Sequence, residues 1–280
     1  MIRKGIVLLG LVITFFTTIV NAQLNGLPSA DAFNAGVSYA NPLPKRSQAV
    51  LANPAYQLTE ERQTEAYLSA ENRYGWNVLR RYTAALATPL RAGTGIGVGV
   101  DYFGDNVYHE STVTTAVSHS IENVNMGMQL TWAQIGTEGV ASKNALFASI
   151  GAGFKLNPKW KLATYIRNIN RAKLPETNDE RLPSYIDVGT QYKATDKLNI
   201  YSTISLQTLQ QPNFRFGLNY NLHRIVSLQS GYRNDLESFS FGAIIHHKKL
   251  HFAYSIYTHP VLPISHLIGL KVTLSKKENG

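Results

Sequence analysis

The stretch Ile96-Gly97-Val98-Gly99-Val100-Asp101-Tyr102 places a large side chain at every second position and glycine or aspartate between them. Because successive side chains of a β-strand point to opposite faces, one face of this segment is apolar and the other is small or polar. Similar units, roughly ten residues of alternating character followed by a turn, recur from about Tyr67 to Leu274. This pattern is typical of a membrane β-barrel.

The period-two template predicts fourteen strands, an even number that is usual in bacterial single-chain barrels. The predicted strands lie near residues 64–72, 79–88, 94–103, 107–118, 123–134, 145–156, 160–169, 184–194, 198–208, 213–221, 224–232, 236–246, 250–258 and 264–275. Most have about the nine to eleven residues that a tilted strand needs to cross a membrane. We therefore predict an all-β chain whose residues 63–280 form a transmembrane antiparallel β-barrel of about 14 strands.

The predicted connections alternate between short and long, as expected when periplasmic turns are tight and extracellular loops vary. The short set contains residues 157–159, 195–197, 221–223 and 247–249. The long set contains residues 135–144, 171–183 and 258–263. With the first strand rising from the periplasm, the short set is predicted to be periplasmic.

The predicted lipid-facing side is apolar in every well-patterned strand, and charged residues fall on the opposite side. An Arg or Lys on the lipid side would cost about 2–4 kcal/mol at the membrane midplane. We predict that the lumen is lined by Arg81, Asp101, Glu110, Lys155, Arg167, Asp187 and Arg215. Asp101 and Glu110 are expected to face Arg81 and Lys155 as ion pairs that stabilise the lumen and its contents, and an ion-selective filter is the alternative.

Glycines recur on the same inward side. The alternation of side chains assigns eleven glycines to this side: Gly95, Gly97, Gly99, Gly127, Gly151, Gly153, Gly189, Gly217, Gly231, Gly242 and Gly269. Glycine weakens a strand, so its recurrence on one face indicates that another backbone or a ligand approaches closely there. A filled or narrow lumen is one interpretation, and relief of crowding inside a tilted barrel is the other.

The N-terminal residues 1–22 have the pattern of a signal peptide: Arg3 and Lys4, an apolar stretch, and a small-residue cleavage site at Val20-Asn21-Ala22. An uncleaved anchor helix is the alternative. The next segment, residues 23–62, contains Pro28, Pro42, Pro44 and Pro54 and is predicted to be irregular. We predict that it is a hatch that plugs the lumen, with Asn53, Pro54 and Ala55 as plug residues; an extension outside the barrel is the alternative.

Composition excludes several function classes. The 280 residues carry a formal charge of +9, which falls to +7 without Arg3 and Lys4, and the positive charge is spread along the chain. This balance gives no support for nucleic-acid binding. The absence of cysteine excludes disulfides, thiol catalysis and a lipidated cysteine anchor. Apart from the N-terminus, no segment is apolar and long enough for a helical membrane span.

An enzyme is not expected from the sequence. The pairs His119-Ser120 and Ser265-His266 are neighbours in strands, so the two side chains of each pair point to opposite faces and cannot form a nucleophile and base. His246-His247 is interpreted as a solvated pair, with weak metal binding as the alternative. No cofactor or metal is predicted. The main alternative fold is a secreted β-sandwich, although strands near ten residues are long for that architecture.

Two sets of motifs resemble a known family. Residues 34–40 (Asn-Ala-Gly-Val-Ser-Tyr-Ala) followed by Ala52-Asn53-Pro54-Ala55 resemble the N-terminal signature of PorV/PorQ-type outer-membrane proteins of Bacteroidetes, relatives of the FadL fold. Residues 213–220, 230–233 and 265–270 resemble the family's last strands. The resemblance implies a fourteen-stranded, FadL-like barrel in the outer membrane of a Gram-negative bacterium.

The same resemblance implies two roles. PorV-type proteins work with the type IX secretion machinery, whereas FadL-type proteins admit hydrophobic small molecules. Because the inward face is mainly small and polar, with Tyr108, Tyr165 and Tyr201 as its main bulk, we predict a partner-binding barrel associated with secretion, and a FadL-like transporter is the alternative. The predicted partners are outer-membrane lipids and lipopolysaccharide, secretion-system proteins or exported cargo, and a hydrophobic small molecule.

Overall fold

The computed structural model describes residues 29–56, 63–91, 93–174, 182–207 and 210–274. Its main element is a closed barrel of fourteen antiparallel strands, as the alternation predicts. The strands are β1 (Thr64–Asn72), β2 (Arg80–Arg91), β3 (Thr94–Gly104), β4 (Tyr108–Ile121), β5 (Val124–Thr137), β6 (Val140–Lys155), β7 (Trp160–Arg167), β8 (Tyr185–Lys193), β9 (Leu198–Gln207), β10 (Asn213–His223), β11 (Val226–Arg233), β12 (Ser238–His247), β13 (Leu250–Tyr257) and β14 (Ser265–Leu274).

Each strand pairs with its neighbours in sequence, and β1 closes the barrel by pairing with both β2 and β14. At this seam Ser69 lies opposite Thr83 on one side and Gly269 on the other. Closure gives every described strand two partners and removes the free edge that an open sheet would expose.

The outer face of the barrel is apolar and exposed, in the strands whose faces the sequence assigns. Val98 is 43% exposed, and Leu130 and Leu206 are each 48% exposed. In a soluble sandwich these side chains would be buried in the core. A continuous belt of exposed apolar side chains around a closed barrel is the surface that a lipid bilayer requires.

The two ends of the barrel differ in their connections. At the end called here the turn end, successive strands are joined by two to four residues, as between β12 and β13. The opposite end is called the loop end. It carries the longest connection between the strands given above, the one from β7 to β8. The alternation of short and long links matches the sequence interpretation except at the β3–β4 and β5–β6 connections, which lie at the loop end and are as short as turns.

One predicted loop is wrong. Residues 135–144 form the tip of a long hairpin, in which β5 runs to Thr137 and β6 starts at Val140. Gly139 adopts φ +74°, which closes the turn of this hairpin. The ladder contains an irregularity between Ile135 and Thr137. Apart from Val140, the side chains of residues 136–144 are polar or small on both faces, so the alternation disappears although the backbone hydrogen bonds continue.

Inside the barrel lie residues 29–56, which we call the plug. They include one short helix, α1 (Ala32–Ala35), and two 3-10 turns at Arg46–Val50 and Pro54–Tyr56. None of the helices in the described ranges has the length and apolar character needed to cross a membrane. The predicted signal peptide, residues 1–22, lies outside the described residues.

Candidate functional site

The plug has an irregular backbone that is held by its own polar side chains. Asp31 caps α1 by accepting a hydrogen bond from the backbone N–H of Phe33 at 2.9 Å. Its other carboxylate oxygen accepts from Gln48 Nε2 at 2.5 Å. Burial raises the pKa of the Asp31 carboxyl. These contacts join the start of the plug to its middle, so the segment behaves as a compact body inside the lumen.

The inward glycines form a seat for this plug. At Gly217 an added Cβ would lie 2.6 Å from the Cβ of Val37, and at Gly99 it would lie 2.8 Å from Leu51 Cγ. Similar encounters with plug residues occur at Gly97, Gly127, Gly151, Gly189, Gly231, Gly242 and Gly269. These positions follow the barrel wall from β3 round to β14. Of the two interpretations of the glycines, a filled lumen therefore agrees with the contacts, because the barrel wall needs glycine where the plug touches it.

Hydrogen bonds join the plug to the wall at points around its circumference. The donor–acceptor pairs are Tyr67 OH to Ala30 O at 2.5 Å, Ser255 Oγ to Ala32 O at 2.6 Å, Gln229 Nε2 to Phe33 O at 3.0 Å, Ser38 Oγ to Ser240 Oγ at 2.9 Å, Thr203 Oγ1 to Ala40 O at 2.8 Å and Asn53 Nδ2 to Thr164 O at 3.2 Å. Several of the acceptors are plug carbonyls that no helix or sheet satisfies, so the wall supplies the missing partners.

Gln129 on β5 makes a concentrated contact of this type. Its Nε2 donates to the carbonyls of Val50 at 2.7 Å and Ala52 at 2.8 Å, while Tyr165 OH donates to its Oε1 at 2.9 Å. Gln129 is buried. The side chain therefore uses both ends of its amide to fix the C-terminal part of the plug, next to the predicted plug residue Asn53.

Charged side chains also fix the plug. Ser47 Oγ donates to Glu65 Oε1 at 2.5 Å, and Lys271 Nζ donates to Gln48 Oε1 at 2.7 Å. The Lys271 ammonium also lies 4.0 Å from the centre of the Phe33 ring. Both charged residues lie on the inner face of the β1–β14 seam, so their charges are used for plug contacts inside the lumen.

A second group of charges lies on the wall beyond the plug. Arg81 Nε is 2.8 Å from Asp101 Oδ2, and Thr83 Oγ1 donates to Asp101 Oδ1 at 2.6 Å. Glu71 accepts from Arg73 Nε at 3.0 Å and from Tyr257 OH at 2.5 Å. Burial makes the loss of either partner costly, and these networks cross-link β1, β2, β3 and β13.

The structure places the predicted lumen residues in different environments. Arg81, Asp101, Glu110 and Arg215 are buried on the inner face. Glu110 accepts a hydrogen bond from Tyr108 OH at 2.8 Å near the loop end, whereas Lys155 is exposed at the turn end of β6. The predicted approach of Glu110 to Lys155 is therefore wrong, because alternation assigns a face to each side chain but not its height along a tilted barrel.

On the loop-end side of the plug lies a cavity of about 260 Å³, which we call the lumen cavity. Its walls are mainly polar and aromatic. They include Asn34 and Tyr39 of the plug, Tyr165, Arg167, Tyr185, Asp187, Asn213, Arg215 and Arg233 of the strands, and Gln210 and Asp235 of the loops. Leu51 is the largest aliphatic side chain among the lining residues of the described part of the chain.

Three arginines line the lumen cavity, and two of them are paired with carboxylates. Arg215 Nη2 donates to both oxygens of Asp187, at 3.2 and 3.3 Å, and Arg233 Nη2 donates to Asp235 at 2.5 Å. Although burial alone would raise it, the hydrogen bond and charge of Arg233 hold the pKa of Asp235 below its usual range. Arg167 instead lies against aromatic rings, 5.1 Å from the centre of Phe147 and 5.9 Å from that of Tyr185.

Sequence reasoning missed several of these residues. Gln129, Tyr185 and Arg233 occupy inward positions that the alternation identifies. Gln129 and Tyr185 are uncharged, and Arg233 is at the end of its strand, so the sequence pattern did not single them out as site residues. Asp235 lies in the β11–β12 connection, where the period-two rule does not apply. Only the close packing of plug and wall shows which inward side chains meet.

Catalytic groups do not assemble in the described lumen. Ser227 Oγ lies 2.9 Å from His246 Nε2, and His246 Nδ1 lies 2.9 Å from His251 Nδ1. Ser227, however, donates its own hydrogen to Asn221 Oδ1 at 2.9 Å, so the histidine does not take the serine proton as a general base would. Within the described ranges no three His, Cys, Asp or Glu residues gather as a metal site.

Comparison with solved structures identifies this architecture. The Ralstonia pickettii toluene transporter TbuX aligns with TM-score 0.57 and 13% identity, over 86% of this chain and 98% of that chain. The Pseudomonas putida toluene transporter TodX aligns with TM-score 0.63 and 10% identity, over 90% and 98%. A Pseudomonas aeruginosa FadL homologue aligns with TM-score 0.58 and 11% identity, over 88% and 98%. The chain has a FadL-like fold.

This likeness exists in three dimensions only. No protein-family model matches the sequence, and no curated protein matches it. At these identities the FadL-like fold is shared while individual side chains are not, so the chemistry of the lumen has to be read from this chain's own residues.

Proposed function

We propose that this protein is an outer-membrane transporter of hydrophobic small molecules, the alternative of the two roles predicted from sequence. The observation that carries the proposal is the lumen cavity, which lies between the plug and the loop end of a FadL-like barrel. A cavity with a few convergent polar groups is the usual form of a small-molecule site. The toluene transporters TbuX and TodX have the same fold.

Passage through the barrel requires the plug to move or rearrange. The plug lies across the lumen and forms one wall of the cavity through Asn34, Tyr39 and Leu51. Its contacts with the barrel are hydrogen bonds, contacts of the charged Glu65 and Lys271, and glycine-lined packing, all of them reversible. A solute that enters from the loop end would therefore be held at the plug until those contacts open.

The chain offers a direct test because it has no cysteine. Ser38 Oγ and Ser240 Oγ are 2.9 Å apart, so Ser38→Cys with Ser240→Cys would form a disulfide between plug and wall. In proteoliposomes, the purified full chain should make labelled toluene enter faster than it enters empty liposomes. Oxidation of the double variant should stop uptake, and a reductant should restore it.

The matched control is a disulfide within the wall. Thr114 Oγ1 and Thr131 Oγ1 are also 2.9 Å apart, on the paired strands β4 and β5. Oxidation of Thr114→Cys with Thr131→Cys should leave uptake unchanged. Uptake no faster than that of empty liposomes, for toluene and for a long-chain fatty acid alike, would refute the transporter proposal.

The PorV/PorQ-type assignment and the partner-binding role in secretion stay predictions. Their support is the sequence resemblance, whereas the neighbours in fold favour transport. Affinity purification from native membranes would distinguish them, because a secretion component should be recovered with the barrel and a transporter should be recovered alone.

A further inference from the structure

The turn end of the barrel collects positive charge on one side. Exposed lysines and arginines lie in or next to the four turns that join β6 to β7, β8 to β9, β10 to β11 and β12 to β13. This set, which we call the basic arc, consists of Lys155, Lys159, Lys193, Lys197, Arg224, Lys248 and Lys249. Charge that is spread along the sequence is therefore brought together by the fold.

The basic arc has little acidic charge of its own to balance it. In these four turns, all of them described, Asp196 is the one carboxylate, and its Oδ1 lies 2.7 Å from Lys193 Nζ. The backbone N–H of Lys193 donates to the carbonyl of Lys159 at 2.8 Å, so residues of neighbouring turns lie side by side. Like charges at short distances repel one another. A bound anion would relieve this repulsion.

Other connections of the barrel do not share the excess. At the turn end, the β4–β5 connection carries the exposed acid Glu122. At the loop end, the exposed and half-buried charges of the described connections are two bases and four acids: Arg171, Lys173, Asp105, Glu138, Asp235 and Glu237. The positive surface is therefore specific to the turns between β6 and β13.

The basic arc lies at the boundary of the lipid-facing belt. Leu156 and Ile225 lie in the turns themselves and are 60% and 43% exposed. On the outward face next to Lys159, the rings of Trp160 and Tyr192 stack with their centres 4.4 Å apart. Tryptophan and tyrosine favour the level of the lipid headgroups. The apolar part of a bilayer therefore reaches the turns, and the ammonium groups of the arc lie among headgroups.

We propose that the basic arc and the Trp160–Tyr192 pair bind anionic diacyl phospholipids, such as phosphatidylglycerol, in the leaflet at the turn end. The phosphates would lie among the ammonium and guanidinium groups of the arc, and the acyl chains against the exposed apolar side chains of the wall. Basic residues at a membrane surface favour anionic lipids. An acidic soluble protein would match the charge of the arc but would leave Leu156 and Ile225 exposed to water.

The test measures which lipid lies next to Trp160. Trp76→Phe with Trp132→Phe leaves Trp160 as the only tryptophan of the chain, and a lipid brominated in its acyl chains quenches tryptophan fluorescence on contact. The full chain is placed in phosphatidylcholine vesicles that contain a minor share of phosphatidylglycerol, and one of the two lipids is brominated at a time. Phosphatidylglycerol next to Trp160 should exceed its share of the bilayer at least about fivefold. This enrichment should fall in about 1 M salt, which screens the charges.

A charge variant and a matched control locate the effect. Lys159→Gln with Lys193→Gln removes the charges on both sides of the Trp160–Tyr192 pair, and the enrichment should fall at least about twofold. Lys143→Gln with Arg171→Gln removes the same charge near the loop end and should leave the enrichment unchanged. Heat-modifiable migration on electrophoresis checks that both double variants are folded.

The outcomes decide between a lipid site and its alternatives. Equal quenching by the two brominated lipids, at equal share, would overturn the inference, and an acidic soluble protein would then be the partner to seek. An equal loss of enrichment in the loop-end control would assign the effect to net charge and overturn the basic arc as a site. Neither result affects the transporter proposal, because no residue of the lumen cavity takes part.

Discussion

The two regions of the lumen, the glycine seat around the plug and the lumen cavity beyond it, are built in opposite ways. In the seat, wall side chains pair with plug carbonyls, and glycines bring the two backbones into contact. In the cavity, buried atoms such as Arg215 Nε and Asn34 Oδ1 have no described partner. Gln229 of the seat likewise has an Oε1 without a described partner, so the two regions differ in space and not in unpaired atoms. Plug and wall touch in the seat, whereas the cavity leaves an open volume of about 260 Å³.

This difference separates residues that hold the fold from residues that select a solute. Substitutions in the seat should change stability and plug position for every solute alike. Substitutions in the cavity should change which solute is bound. The wall networks between the two regions, such as Arg81 with Asp101, should act on stability.

The largest effect is expected for Arg81→Met. It would leave the buried carboxylate of Asp101 without its cation, which typically costs about 3–5 kcal/mol. The temperature at which the folded band disappears on electrophoresis should fall clearly. Arg80→Met is the control, because exposed Arg80 bonds only to Asn77 on the outside in the described structure. Equal stability of the two variants would contradict a structural role for the ion pair.

Gln129→Leu should come next. It removes the donor for the carbonyls of Val50 and Ala52 and the acceptor for Tyr165 OH, at a cost of roughly 2–4 kcal/mol. Hydrogen exchange should rise in residues 48–55 while the strands stay protected. Thr115→Leu on the outer face of β4 is the control, and unchanged exchange in the plug of Gln129→Leu would show that this contact does not hold it.

Gly217→Ala tests the seat with a smaller change. The new Cβ would meet Val37 at 2.6 Å and force the plug away from β10, at about 1–3 kcal/mol for overpacking. Planar-bilayer recordings should show more frequent openings than in the parent protein. Ser202→Ala, outward on the neighbouring strand β9, should behave as the parent. If Gly217→Ala shows no more openings than the parent protein, the plug accommodates the added methyl group without moving.

The smallest effect concerns pH at the loop end. Because Arg233 holds the pKa of Asp235 below its usual range, this pair stabilises the fold above the unfolded pKa of about 3.9, and the contribution disappears as the pH falls through the lower folded pKa. Asp235→Asn should lose up to about 1 kcal/mol at pH 6. The difference in the free energy of unfolding between variant and parent should shrink toward pH 3. If this difference does not change with pH, the effect comes from the shape of the side chain and not from its charge.

The strands were predictable because a membrane barrel repeats one rule over its whole length. β1, β3, β7 and β13 begin within a residue of the predicted positions, and the lipid-facing side chains fall where alternation places them. The rule fails at the rim: around Thr137 both faces are small or polar, so the sequence loses its period while the ladder continues to the turn at Gly139.

The lumen was only partly predictable. Alternation identified Arg167, Asp187 and Arg215 as inward residues, and all three line the cavity. It could not place Glu110 and Lys155 at opposite ends, since their relative height depends on the stagger of the strands between them. The plug contacts of Gln129 depend on an irregular segment whose path no local rule determines.

The long β5–β6 hairpin makes the loop end of the barrel asymmetric. β6 has 16 residues while its neighbour β7 has 8. Beyond the end of β7, Leu174 and Leu182 of the β7–β8 connection pack against Ile135 and Phe147 of the hairpin. The hairpin thus gives the connection after β7 an apolar surface to pack against at the loop end. Shortening the tip of the hairpin should therefore loosen that connection as well as the hairpin itself.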